Sequence, residues 1–306
     1  MTTSIVTDRV FKNYIGKGNF LSDYPGAIVA YSLRTIGTSY VGPLIRVRRS
    51  SDNQEQDFYA HYGAVVVDEV KNFVGAGSGF VSVWYDQSGN GNHAFQTIAD
   101  KQPMVIKNGI VTLLNNKNCL MFDGANDYMQ LPSAVAQQFN DGGVDFSVFA
   151  ASNPSSNAAP FPVLSLAGNN NEVAGNNDMM LFQANAAFGA SPRRAAGAVF
   201  RKVGAVDVYG LSAGAPVQSS PVIFGVVRES GNLTVVDTSS PPTDTPAATT
   251  GALNLSLATM GATRRGSAGG VETSNPNSKI SELIVYRKSY ASVLDDVMKN
   301  MTEYYG

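Results

Sequence analysis

Phe80-Val81-Ser82-Val83-Trp84-Tyr85 runs directly into Asp86-Gln87-Ser88-Gly89-Asn90-Gly91-Asn92, and this junction decides the fold class. The first six residues are β-branched, aromatic or small and alternate as a half-buried strand does. The seven that follow are turn formers, able to bond their own main chain or to take left-handed backbone, so the strand stops abruptly. Working outward, the same grammar recurs. Upstream, 27–33 and 44–49 read as strands, the second alternating Ile45 and Val47 against Arg46 and Arg48 before Ser50-Ser51-Asp52-Asn53 turns the chain. Downstream come 120–122, 128–131, 146–150 and 280–286, and a hairpin in which 222–227 and 233–236 flank Glu229-Ser230-Gly231-Asn232.

Helical signals are few. Asp68 can start a short helix that ends near Gly75, with Val70, Phe73 and Val74 inward. A C-terminal helix follows the last strand, with Ser292 and Asp295 spaced as a capping box and Val293, Leu294, Val297, Met298 and Met301 as its apolar stripe. The run 238–250 (TSSPPTDTPAATT) reads as a loop, since its prolines bar it from a central strand. Strands at short spacing with no alternating helices predict an all-β sandwich rather than a βαβ fold. No fixed-period repeat is present, which excludes propellers and solenoids.

The expected organisation is an N-terminal arm over 1–26, docked on a neighbouring copy or another protein, and one sandwich over 27–306. The 306 residues contain 15% charged side chains and carry a formal net charge of -2, which offers no broad attraction to phosphate backbones and argues against nucleic acid as a partner. Arg46, Arg48 and Arg49 are a local cluster, read as a solvated face with ion pairs. Cys119 lies in an apolar strand-like run as a small buried thiol. Residues 1–10 show no apolar core behind a basic start, and nowhere do about 18 apolar residues run together, so neither a leader nor membrane insertion is expected.

Four segments together resemble the concanavalin A-like, laminin-G-like superfamily of jelly-roll sandwiches. They are Trp84 to His93, Leu120-Met121-Phe122-Asp123-Gly124-Ala125-Asn126-Asp127-Tyr128, Phe146-Ser147-Val148-Phe149 and Ile280-Ser281-Glu282-Leu283-Ile284-Val285-Tyr286. A narrower likeness rests on Ala30-Tyr31-Ser32-Leu33, Gly42-Pro43-Leu44-Ile45-Arg46-Val47-Arg48-Arg49-Ser50-Ser51-Asp52 and Tyr85-Asp86-Gln87-Ser88-Gly89-Asn90-Gly91-Asn92-His93. It is similar to the catalytic domain of the arabinofuranosidase B family, and to phage tail and virion proteins that carry related domains.

The likeness to the arabinofuranosidase B family implies a retaining glycosidase, which needs two carboxyl groups roughly 5 Å apart. The family's nucleophile is a Glu after a Met on a mid-domain strand, and the comparable stretch here is Asn177-Asp178-Met179-Met180-Leu181-Phe182, without a Glu. Its general acid is an Asp in a loop before the last strand, where this chain has Gly261-Ala262-Thr263-Arg264-Arg265-Gly266-Ser267, and arginine cannot donate its proton near neutral pH. A shifted register could bring Asp178 or Glu272 into one of these places. The expectation is therefore no catalytic residues and no enzyme. In its place the sequence suggests a phage virion structural or surface protein, on head or tail, assembled in the host cytoplasm and able to touch host-surface glycans. A free lectin-like module and a retaining arabinofuranosidase are the alternatives.

Two candidate binding sites follow from residue types. Asp86, Asn90, Asn92 and His93 can pair with sugar hydroxyls beside Trp84 or Tyr85 as an apolar platform, or they can hold a turn through their own main chain. Asp123, Asn126 and Asp127 can contribute oxygen ligands to calcium, in a composition equally common in turns. His61 and His93 have no zinc-type spacing, so no other cofactor is expected.

Overall fold

The structure is a computed structural model that describes residues 20–61, 63–65, 67–141, 145–157, 159–168, 178–187, 192–202, 207–217, 220–246, 251–265, 270–273 and 277–306. In chain order its strands begin with β1 (Ala27–Ser32), β2 (Pro43–Arg49), β3 (Glu55–His61), β4 (Ala64–Val65), β5 (Gly79–Trp84), β6 (Ala94–Phe95), β7 (Met104–Lys107) and β8 (Ile110–Val111). Then come β9 (Leu113–Leu114), β10 (Lys117–Asn118), β11 (Leu120–Phe122), β12 (Met129–Leu131), β13 (Phe146–Asn153), β14 (Phe161–Ala167), β15 (Met179–Ala184) and β16 (Ala196–Arg201). The last are β17 (Val208–Leu211), β18 (Val222–Glu229), β19 (Asn232–Asp237), β20 (Ser240–Pro246), β21 (Leu257–Met260), β22 (Ala262–Arg265), β23 (Gly270–Thr273) and β24 (Ser278–Tyr286). Helices are α1 (Phe20–Asp23), α2 (Val67–Val74), α3 (Ser133–Gln137) and α4 (Leu294–Tyr305).

Pairing sorts the strands into two antiparallel layers. In the first, β24 lies between β13 on one side and β1 and β11 on the other, and the sheet continues from β13 through β18 and β19 to β20. In the second the order is β3, β2, β5, β6, β12, β21, β14, β15, β16, β17. β7 pairs with both β5 and β11 and ties the layers together. The result is an all-β jelly-roll sandwich.

Between the layers lies one apolar core, with Tyr31, Val148, Phe224 and Val285 from the first sheet meeting Val47, Trp84, Phe182 and Met260 from the second. The first sheet is covered on its outer face as well. There α1 and α4 lay Phe20, Leu294, Val297, Met301 and Tyr305 over Phe149, Ile223, Ile284 and Tyr286. Cover on both faces is why β13 is buried at every position and β24 at every position but Lys279, without the alternation of a half-exposed strand.

Several local expectations change. α2 forms where expected, with Val70 and Val74 buried and Gly75 beyond its end at φ +69°, but Asp68 lies inside the first turn. Ser292 is not the cap of α4: a 3-10 turn over Ala291–Val293 precedes the helix, Val293 occupies the cap position, and no side chain caps it. The expected loop over 238–250 contains a strand, β20, which among the described residues pairs with β19 alone. Pro241 and Pro242 fall between the Asp237↔Ser240 and Val235↔Thr243 pairs, where the register slips and no ladder bond needs their missing N–H groups. Residues 1–19 of the expected arm lie outside the described residues. Directly after that stretch Phe20 is 1% exposed beneath α4, and the Leu21 N–H donates to the Ile36 carbonyl at 2.8 Å.

Candidate functional site

The turn after β5 is assembled around Asp86, which is 1% exposed. Its Oδ1 accepts from the N–H groups of Ala30 at 2.8 Å and Ser88 at 2.9 Å, and its Oδ2 from the Asn92 N–H at 3.0 Å and the Ser88 hydroxyl at 2.7 Å. Asn90 and Asn92 donate their amides to the Ala27 and Ile28 carbonyls, and the Asp86 N–H donates to His93 Nδ1. These four polar residues, put forward as sugar contacts, thus clamp the turn onto β1. Trp84, put forward as a platform, is fully buried against Tyr31 with ring centroids 5.7 Å apart. Tyr85 is the member left at a partly open surface: its ring meets His93 edge-on at 4.9 Å, and its hydroxyl donates to Asp57 Oδ1 at 2.7 Å. Arg46 grips the same Asp57 through two bonds of 2.8 and 2.9 Å and holds that carboxyl below its ordinary range.

The Asp123–Asp127 turn is likewise self-contained. Asp123 Oδ1 accepts from the N–H groups of Ala125, Asn126 and Asp127, and Asp127 Oδ2 from the Asp123 N–H at 2.9 Å. Burial raises the Asp127 carboxyl to about 7. Asn126 enters these bonds through its backbone. Among the described residues no group of three or more His, Cys, Asp or Glu is placed to hold a metal ion. Burial also pushes the Cys119 thiol up to about 12, so it carries little thiolate near neutral pH. Among the described residues no helix is long and apolar enough to cross a membrane.

The second layer has a different outer face. Register aligns Val83, Phe95, Gln130, Thr259, Ser165 and Leu181 in one row across it. On β15, Met180, Phe182 and Ala184 enter the core, whereas Met179 and Leu181 join Val199 in a separate outward cluster. Gln183 shares that outward parity. Ser165 and Gln183 are 1% and 6% exposed, and Ser165 Oγ and Gln183 Oε1 have no hydrogen-bond partner. Arg264 on β22 reaches the same face, donating from Nη1 to Gln130 Oε1 at 3.1 Å while its Nε stays unpartnered. Sequence reading passed over Ser165 and Gln183; the available signal was one polar residue inside each of two apolar runs, FPVLSLA and MMLFQA.

The backbone places Asp178 and Glu272 at opposite ends of β14. Asp178 is 6% exposed at the start of β15, where its carbonyl accepts from the Gly168 N–H and its Oδ2 from the Asn254 N–H at 2.8 Å. Glu272 stands opposite Thr263 on β22, two residues beyond Gly261, whose N–H donates to the Pro162 carbonyl. Gly168 and Pro162 mark opposite ends of β14, a separation of roughly 20 Å at about 3.3 Å per residue.

Comparison with known proteins adds a family. The sequence model described as alpha-L-arabinofuranosidase B, catalytic, matches residues 23–124. Comparison with curated protein sequences finds no match. Among solved structures, a GH54 α-L-arabinofuranosidase soaked with a cyclic sulfate inhibitor superposes with a TM-score of 0.63 at 14% identity, over 93% of this chain and 64% of that one. An arabinofuranosidase complexed with arabinofuranosyl-α-1,2-xylobiose gives 0.61 at the same identity and coverage. A GH54 mutant soaked with 4-nitrophenyl α-L-arabinofuranoside gives 0.63. This chain therefore spans a little under two thirds of the length of those proteins, and at 14% identity the likeness shows the fold. The expectation of a non-catalytic virion protein gives way to these findings: the family matched is a catalytic domain, and the phage likeness gains no support.

Proposed function

We propose that the chain is a glycoside hydrolase of the arabinofuranosidase type, acting on α-L-arabinofuranosyl substrates. The observation that carries the reading is the agreement between the sequence family and the sandwich. Residues 23–124, which the family matches, supply β1, β2, β5 and the Asp86 turn that locks β5 to β1, and the whole chain follows the fold of the GH54 enzymes over 93% of its length. Retaining cleavage uses two carboxyl groups about 5 Å apart. Asp178 and Glu272 belong to backbone positions roughly 20 Å apart, at opposite ends of β14, which counts against their acting as that pair. Any catalytic pair includes another carboxylate, and Asp57, held ionised by Arg46 at the open end of the second layer, is the described one to test beside them.

Release of nitrophenol from 4-nitrophenyl α-L-arabinofuranoside by the purified chain tests the reading. Supporting results are turnover by the wild type and a fall of about 100-fold or more in one of Asp57→Asn, Asp178→Asn or Glu272→Gln, the size expected for loss of an acid–base group. No release above buffer from a folded wild-type chain overturns it.

A further inference from the structure

We infer that the segment 1–19 docks on its own sandwich, in the groove between the start of α4 and the β19–β20 hairpin, with its basic side chains toward Asp244, Asp295 and Asp296. The inference is independent of any action on glycosides.

The groove exists because α4 covers only part of the outer face of the first layer. The helix begins on β18, where a Cβ added to Gly225 would stand 3.1 Å from Leu294, and its stripe covers Phe149, Ile223 and Ile284. Beyond β18 a cavity of about 480 Å³ separates residues 291–296 from Thr234, Pro242 and Asp244. Leu233 and Val235 enter the core between the layers, so Thr234 points outward. It pairs with Asp244 across the hairpin, and its hydroxyl donates to Asp244 Oδ1 at 2.6 Å.

Both walls are acidic. Asp244, Asp295 and Asp296 line the cavity and no Lys, Arg or His does. Asp295 and Asp296 suit the first turn of α4, but Asp244 belongs to a strand, so helix polarity does not account for both walls. Among the described residues none of the three forms an ion pair. Nor are they placed to hold a metal ion, so the cations they suit are side chains carried on a peptide.

The described chain begins on this same face. Phe20 lies beneath α4 with its ring 5.0 Å from that of Tyr24, and Tyr24 meets Tyr290 edge-on at 5.7 Å. Tyr290 runs directly into Ala291, the first residue of the cavity wall, and Asp296 adds to burial in raising the Tyr24 hydroxyl above its ordinary value. The step from α1 to the groove is short, whereas 19 extended residues reach roughly 60 Å. Segment 1–19 carries Arg9, Lys12 and Lys17 against Asp8 alone, the opposite sign to the groove. Val10 and Phe11, between two of these cations, match the apolar surface that Pro242 and Val293 give the cavity.

Carbodiimide coupling of the full chain, followed by peptide mapping of the monomer fraction, tests the docking. Lys12 or Lys17 is expected to be joined to Asp244, Asp295 or Asp296. Trypsin, which cuts after Arg9, Lys12 and Lys17, is expected to do so up to about fivefold faster in Asp244→Asn, the range of one exposed ion pair. That difference vanishes in 1 M salt, where the screening length is about 3 Å. The Thr234 hydroxyl can donate to the new amide oxygen, so near-UV circular dichroism of Asp244→Asn matches the wild type. Lysine links to other carboxylates alone, or wild-type cleavage in Asp244→Asn at low salt, overturn the docking. Links to the groove acids found only in a covalent dimer overturn it too, because they put the segment on a second copy.

Discussion

Asp127 is 3% exposed, and burial, helped by Asp123 and Asp100, raises its carboxyl to about 7 against the bond from the Asp123 N–H. Between its unfolded value near 4 and about 7 the folded chain keeps a proton that the unfolded chain has released. Stability from this group is therefore greatest below pH 4 and declines as pH rises to about 7, by an amount on the order of a few kcal/mol. Asp127→Asn removes the decline, since its amide oxygen can accept the same N–H. Urea unfolding at pH 4 and pH 8 checks this: the variant gains at pH 8 and changes little at pH 4, and equal effects at both would refute the assignment. Residues of this kind were legible as turn formers because Asp and Asn bond their own neighbourhood, as Asp86 and Asp123 do. Ser165 and Gln183 were not, because a strand buried on both faces loses the alternation that marks which side chains point outward.

At the scale of the element, α4 is held by more than its stripe. Arg34 donates from Nε and Nη2 to both oxygens of Glu282 at 2.8 and 2.9 Å, and the Tyr305 hydroxyl donates to Glu282 Oε2 at 3.0 Å. The Arg34 guanidinium also lies 4.4 Å from the Tyr304 ring centroid, so the end of α4 sits on a paired charge fixed between β1 and β24. Both charges are almost fully buried, and neutralising one strands the other. Glu282→Gln is expected to lower stability by about 3–5 kcal/mol, read as a drop in urea midpoint with an unchanged slope. A loss below about 1 kcal/mol would show that the pair contributes no more than an exposed one. The apolar periodicity of α4 was legible in the sequence, but its cap was not, since the Ser292 to Asp295 spacing fits a capping box and only tertiary packing turns 291–293 into a 3-10 turn. β20 escaped for the complementary reason: proline excludes a central strand, and only the fold reveals that this one lies at an edge.

For the molecule as a whole, local sequence specified strands and turns but not their partners. The 23–124 segment that matches the arabinofuranosidase family looks self-sufficient in sequence, yet β1 and β11 both pair with β24 at the far end of the chain. The Ser32 hydroxyl donates to Glu282 across 250 residues of sequence. Inside the sandwich Tyr31, Val47 and Trp84 close against strands that begin only at Phe146. Without those strands the contact of Tyr31 on β1 with Trp84 on β5 remains but most of the apolar cover of β1, β2 and β5 is lost, and burying such faces is what offsets the entropy of ordering the chain. A fragment of residues 1–124 is therefore expected to lack near-UV circular dichroism and a cooperative thermal transition, whereas the full chain unfolds in one transition seen alike by near-UV and far-UV signals. A cooperative melt in the fragment would mean that the matched third is a domain in its own right, and that its pairing with β24 joins two folded units instead of completing one.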